Sequence, residues 1–379
     1  MAINTRSPYY VSIKDASISY ATLDIFIWSG NSSSPPSPAQ YSLKKFKIST
    51  NTLVSFEISE LIRDYIDITF SGGYEGQAVW MKYDVKAYDS SNVLLDDDGE
   101  TILAVDGYSY FEEPNFDIDD SPVMISNRTI FALSDNAFRV PIYTGNNPTI
   151  TFFKDGAVVS TQTFPSSNDS IEQMKYVSIN GTHPNWDTYA ERVIEDSGTF
   201  ENSYCLQNFF DEFHIGEVDK VQVTDSNKTI TIDVKTLDEC RYDPKKITFV
   251  NKFGVLQDMY FFKKAVEKMT VKKESYKSNI RNSTNTYSTS QHVNSNFNVV
   301  GKESITLSSG FLDESYNEVF KQMMLSEKVW ITNVTEGVEQ VLPINVKTSN
   351  IIYKTSLNDR LIEYTFDFDN SFDTINNIR

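Results

Sequence analysis

Cys205, Asp211 and His214 lie within ten residues of one another and carry the side-chain types of a thiol–imidazole–carboxylate site. There the imidazole would take the thiol proton and the carboxylate would hold the ring in place. Such sites are usually assembled from distant segments, and these three residues equally describe packing or surface positions. The other histidines are His183 and His292. No Gly-x-Ser-x-Gly, Walker loop, GxGxxG, HExxH or CxxC pattern occurs. No catalytic, cofactor-binding or metal-binding residue is assigned, and the chain is expected to be a non-enzyme without a cofactor.

Two acidic runs, Asp96-Asp97-Asp98-Gly99-Glu100 and Asp117-Ile118-Asp119-Asp120, offer the hard oxygen ligands that calcium takes. Neither matches an EF-hand loop. Asp98-Gly99 after Val93-Leu94-Leu95 also reads as a hairpin turn with solvated carboxylates. Trp28, Trp80, Trp186 and Trp330 could stack on sugar rings. However, Trp330 sits in Val329-Trp330-Ile331, which reads as buried strand. Trp28 and Trp80 lie opposite the greasier face of their strands, where they suit an interface between subunits or domains. The interface candidates are Trp28, Trp80 and, in a polar segment described below, Tyr287, His292 and Phe297.

The elements that must position these residues are strands. Aromatics make up 13% of the 379 residues, with 25 Phe and 21 Tyr, and a chain that is 40% hydrophobic can bury a core. The length suits two or three domains. A net charge of −18 argues against a general nucleic-acid binder and against an anionic membrane surface. The two cysteines, Cys205 and Cys240, are too few for a disulfide framework; they form one bridge or stay buried thiols. The segment Met1–Pro8 has no apolar region of a signal peptide, and no apolar run spans a membrane. The seven Asn-x-Ser/Thr sites follow from the abundance of Asn, Ser and Thr.

Period-two alternation marks strands at Leu23-Ile25-Ile27 and Val79-Met81-Tyr83-Val85-Ala87. Ile58, Leu61, Ile62 and Tyr65 have helical spacing, with Ser59 as cap. The first ~115 residues thus predict a seven-stranded, Ig/FnIII-like sandwich with a short helical crossover. Beyond it, Thr129–Leu133, Phe138–Tyr143 and Thr149–Phe153 read as strands. Asp155-Gly156 and Asp225-Ser226-Asn227-Lys228 read as hairpin turns, and residues 165–215 as an irregular insertion. Residues 282–297 are nearly all Asn, Ser, Thr and Gln. Such a segment is either disordered alone or a β-arm that pairs with a neighbour, and residues 277–299 are expected to order only on assembly. Tyr316, Val319, Phe320, Met323 and Met324 mark one helix, capped by Ser315 with Glu318 or by Asp313. In the last strand Ile362, Tyr364, Phe366 and Phe368 oppose Glu363, Thr365, Asp367 and Asp369. The helix, this strand and Val329–Ile331 are expected to share one core.

The segment Cys240–Phe262, with a tight turn at Asn251–Gly254 between two aromatic strands, resembles virion proteins of phages infecting Bacteroidetes, including crAss-like phages. Ser308–Asn317, Leu361–Asp369, Phe56–Ile62 and Ala104–Tyr108 are similar in the same way. Within that group the resemblance points to ring proteins of the neck and short tail, β-sandwich subunits related to tail tubes and stacked below the portal. It implies a virion protein made in the host bacterial cytoplasm and a homo-oligomeric ring of about twelve subunits. Its partners would be adjacent portal, ring or tail proteins. DNA would pass without specific binding, and no membrane would be involved. In tube-like subunits a long hairpin lines the lumen and a helix packs outside the sheet. The large first domain departs from a minimal tube subunit and suits an outer decoration.

The expected fold is mainly β, with several β-sandwich domains, Ig/FnIII-like and tail-tube-like, and a few short helices. The expected domains are 1–118 (N-terminal sandwich), 119–250 (β-rich with an insertion) and 251–379 (tail-tube-like, with the polar arm and one helix). The expected function is a non-enzymatic ring component of a phage neck or tail. The alternative is a β-sandwich adhesin or carbohydrate-binding module of a phage fibre or bacterial surface.

Overall fold

The computed structural model describes residues 2–48, 51–109, 121–133, 138–179, 218–237, 241–281, 283–335, 338–352 and 361–374. It is mainly β, with several multi-strand sheets in sandwich-like arrangements. The chain divides into two compact units, each drawn from separated segments. The first takes Met1–Glu239, Thr248–Met259 and Ser315–Ser326; the second takes Cys240–Ile247, Tyr260–Glu314 and Glu327–Arg379.

The first unit opens with β1 (Ala2–Asn4), β2 (Tyr10–Lys14), β3 (Tyr20–Trp28), β4 (Tyr41–Phe46), β5 (Leu53–Glu57), α1 (Ser59–Arg63), β6 (Ala78–Tyr88) and β7 (Leu94–Val105). A five-stranded sheet, β1-β7-β6-β3-β4, faces the pair β2-β5. Leu23, Ile25 and Ile27 stand opposite Val85, Tyr83 and Met81. These residues bury themselves with Val11, Ile13, Val54, Phe56 and Ile62 in one core. The alternation therefore yields the expected seven strands and crossover. Two local expectations fail. Ser59 begins α1 rather than capping it, and its hydroxyl turns to the Glu57 carboxylate. Asp98-Gly99 lies inside β7, paired with Val85 and Asp84. The chain has already reversed at Asp89–Val93, where Asp89 Oδ1 accepts from the amides of Ser91 (2.8 Å) and Val93 (2.9 Å). An Asx turn at that point uses up the reversal that Asp-Gly would supply.

Next come β8 (Thr129–Leu133), β9 (Phe138–Tyr143), β10 (Thr149–Lys154), β11 (Ala157–Thr163), β12 (Met174–Ile179), β13 (Lys220–Thr224) and β14 (Thr229–Leu237). They form the sheet β11-β10-β13-β14-β8 and the pair β12-β9. Both expected hairpin turns are present. Asp155 and Gly156 take positive φ (49° and 79°) between β10 and β11, and Asp225 Oδ1 accepts the amides of Asn227 and Lys228 between β13 and β14. Part of the expected insertion is regular, since β12 pairs with β9 along its length. His183, Trp186, Cys205, Asp211, His214, Cys240 and the acidic run 117–120 lie outside the described residues.

The remaining elements are β15 (Lys245–Val250), β16 (Leu256–Phe261), β17 (Val266–Lys277), β18 (Asn294–Ser308), β19 (Leu312–Asp313), α2 (Tyr316–Leu325), β20 (Val329–Thr335), β21 (Val338–Val346), β22 (Leu361–Ile362) and β23 (Thr365–Asp373). One sheet runs β16-β15-β20-β21-β23-β18-β17. The β15–β16 turn is tight, as the sequence predicts. The Asn251 amide donates to Val255 O at 2.9 Å, and Gly254 has φ +75°. Ile362, Tyr364, Phe366 and Phe368 are buried, and Phe261 packs edge-on against both Phe366 and Phe368. Helix α2 buries Tyr316, Val319, Phe320 and Met323, the expected stripe, but makes no side-chain cap bond at Ser315. It belongs to the first unit, where the Tyr316 ring lies 5.6 Å from that of Phe131 and Gln322 donates to Ser126 at 2.7 Å. Val329–Ile331 and the last strand, expected to share its core, fall in the second unit.

Candidate assembly surface

Strand β17 reads Val-Glu-Lys-Met-Thr-Val-Lys-Lys-Glu-Ser-Tyr-Lys, with β-branched residues among charged ones and no buried stripe. It holds its shape by pairing with β18, in register from Val266↔Thr306 to Lys277↔Asn294 with a bulge between Lys272 and Glu274. On its other side β18 pairs with β23; among the described residues β17 is the last strand of the sheet. All 12 residues of β17 are exposed, including Val266, Met269, Val271 and Tyr276. Beyond the bulge, Tyr276 packs edge-on against Phe297 across the hairpin, with ring centroids 5.6 Å apart.

The arm is thus a hairpin whose strands, Val266–Lys277 and Asn294–Thr306, pair within the chain. Ladder bonds and the Tyr276–Phe297 contact supply what its polar tip lacks. At the tip the hydroxyls bond locally, Thr284 with Thr286 and Ser288 with Ser290. Tyr287 and His292 are exposed there, and Phe297 is exposed just inside the strand. These three candidates share one hairpin. Beside it in the second unit lies a shallow groove of about 390 Å³, lined by Glu267, Met269, Glu303, Ile305, Ile331 and Leu342 among others.

Trp28 and Trp80 form a separate pair in the first unit, directly opposite each other on β3 and β6. Their outer face meets a segment of the same chain. The Trp28 indole donates to Asn31 O at 2.8 Å and the Trp80 indole to Asn168 O at 3.1 Å, while Ser170 bonds with Gly30 through backbone and side chain. Trp330 is buried, as its neighbours predict.

The hairpin is also basic. Residues 263–281 carry seven basic and two acidic side chains, a formal +5 in a chain of −18. The signal was present as a local reversal of sign.

Charged side chains are spread differently on β7. Period two sends Asp97 to the face opposite Asp96, Asp98 and Glu100. Among the described residues, no three His, Cys, Asp or Glu side chains gather as a metal site.

One polar cluster is wholly internal to the first unit. Tyr74 and Thr248 both donate to Asp258 Oδ1, at 2.5 and 2.8 Å, and the Arg139 guanidinium lies 4.3 Å from the centre of the Tyr74 ring. Burial first, then the Asp258 charge, holds the Tyr74 hydroxyl well above its ordinary range. Tyr176 is raised as well, chiefly by burial, and accepts the Leu256 amide at 3.0 Å. Nearby, Asn251 donates to Met124 O and to Gln257. Buried and mutually bonded, these groups fix the β15–β16 hairpin in place.

No protein family description and no curated protein sequence matches the chain. Among solved structures, the calcium binding domain CBD12 of CALX1.1 is similar at TM-score 0.18 and 11% identity, over 62% of this chain and 95% of that one. CBD12 from CALX1.2 is similar at TM-score 0.19 and 9% identity, over 62% and 96%. Similarity at this level carries no argument, and the functional reading rests on the chain's own surfaces.

Proposed function

We propose that this chain is a non-enzymatic structural component of a phage virion, forming a homomeric ring around the DNA channel in the neck or tail. The observation that carries the reading is β17, an outermost strand of 12 residues, every one exposed. A row of unpaired backbone donors and acceptors is a template for another strand, and monomeric proteins keep such edges short or covered. The resemblance of Cys240–Phe262 to neck and tail ring proteins supports the same reading, because tube-like subunits carry a long hairpin of this kind. Adjacent portal, ring or tail proteins would be the other partners. The net charge of −18 suits a channel past which DNA moves without sticking.

Light scattering and negative-stain images of the purified protein test this. Annular particles of about twelve copies are expected. A protein that stays monomeric at every concentration tried would overturn the reading.

A further inference from the structure

We propose that β17 of one copy adds edge to edge onto β7 of the next, so that copies join through a basic edge on one and an acidic edge on the other. The proposal rests on the ring reading above and names the contact that builds the ring.

Among the described residues, strand β7 has a second open edge: β6 pairs with it from Leu94 to Val105, but on the far side β1 covers only Leu103–Val105. Leu94 and Asp96–Thr101 are exposed. The amides of Asp97 and Gly99 donate to their neighbours' carboxylates, Asp96 Oδ1 at 3.1 Å and Asp98 Oδ1 at 2.9 Å. Swinging those side chains away frees the amides for an incoming strand. Asp96, Asp97, Asp98 and Glu100 concentrate negative charge along this edge. Among the described residues none of the four is ion-paired, and none of Lys268, Lys272, Lys273 and Lys277 on β17 is either.

Charge decides which edges meet. Two β17 edges would set lysine against lysine, and two β7 edges aspartate against aspartate; like charges directly opposite are destabilising. β17, with four lysines to two glutamates, against β7, with four carboxylates and no basic residue, is the most strongly attractive of these pairings. The two edges are different surfaces, so the contact is heterologous, the kind that closes into a ring when the rotation allows. The 12 residues of β17 are long enough to span the open stretch of β7. The contact also covers the basic hairpin with carboxylates, which keeps it from holding DNA in the channel.

Charge reversal tests the contact. One variant carries Lys268→Glu, Lys272→Glu and Lys273→Glu; the other carries Asp96→Lys, Asp98→Lys and Glu100→Lys. Each alone should remain monomeric, while an equimolar mixture should assemble, because each variant then supplies the edge the other lacks. Carbodiimide cross-linking of the unaltered protein, mixed from light and 15N-labelled copies, gives a reading independent of the variants' folding. Cross-peptides between β17 lysines and β7 carboxylates should join light to heavy chains. If either variant assembles alone as the unaltered protein does, if the mixture stays monomeric, or if cross-links form only elsewhere, the β17–β7 contact is wrong while the ring stands. If the unaltered protein never assembles, both fall.

Discussion

The Tyr74 hydroxyl donates to Asp258 Oδ1 across 2.5 Å inside the first unit. Because burial and Asp258 raise its pKa, Tyr74 stays protonated in the folded chain at pH values where the unfolded chain ionises. Its contribution to stability is therefore complete below about pH 10 and is lost as pH rises through and beyond that value. Urea unfolding at pH 8 and at about pH 10.5 should show a steep loss. Tyr74→Phe should remove its share of that loss, leaving the part due to Tyr176, and cost about 1–3 kcal/mol at pH 8, since Asp258 is left with a donor missing.

The two faces of β23 predict opposite sensitivities. Phe368 is fully buried, so Phe368→Ala should cost about 3–5 kcal/mol. Thr365 is exposed, and Thr365→Ala should cost under about 0.5 kcal/mol. Thermal melts of the two variants check the assignment; equal losses would contradict it.

Two glycines with left-handed backbone separate strain from crowding. A Cβ on Gly254 would lie 2.8 Å from the backbone of Asp106, whereas one on Gly156 would meet nothing within 4 Å. Gly156→Ala should cost about 1 kcal/mol from backbone strain alone. Gly254→Ala should cost at least about 2 kcal/mol more, because backbone atoms cannot step aside. Denaturant midpoints of the pair measure the difference.

Hydrogen exchange should show two classes of amide along β17. Those bonded to β18 should be protected in the dilute subunit, and those directed outward should exchange fast. Concentrating the protein until it assembles should slow the outward class selectively. Uniformly fast exchange in the subunit would mean that the hairpin does not form there.

Much of this fold was legible because single-residue periods decide it. Leu23-Ile25-Ile27 and Tyr364-Phe366-Phe368 alternate, Tyr316-Val319-Phe320-Met323 repeats at helical spacing, and Asp155-Gly156 must turn. Asp98-Gly99 misled because turn chemistry is competitive: Asp89, nine residues before Asp98, closes the reversal, and the later dipeptide is carried along in the strand. β17 escaped notice for a different reason. Burial on one face is what makes a strand visible in sequence, and a strand exposed along its whole length leaves only its pairing partner as evidence of its existence. The hairpin was therefore hardest to read where it is most exposed, although Tyr287, His292 and Phe297 marked its far end. The membership of α2 in the first unit depends on contacts such as Gln322 to Ser126, which no local pattern encodes.

Helix α2 has a consequence for the timing of synthesis. The ribosome makes it after β17 and β18, yet the first unit is incomplete without it. A chain broken off before residue 315 leaves Phe131 and Ser126 without their partners on α2, and leaves the second unit without β20, β21 and β23. Neither unit can then close its core, and the exposed apolar surface marks the fragment for proteolysis. Full-length translation products are thus the form expected to persist.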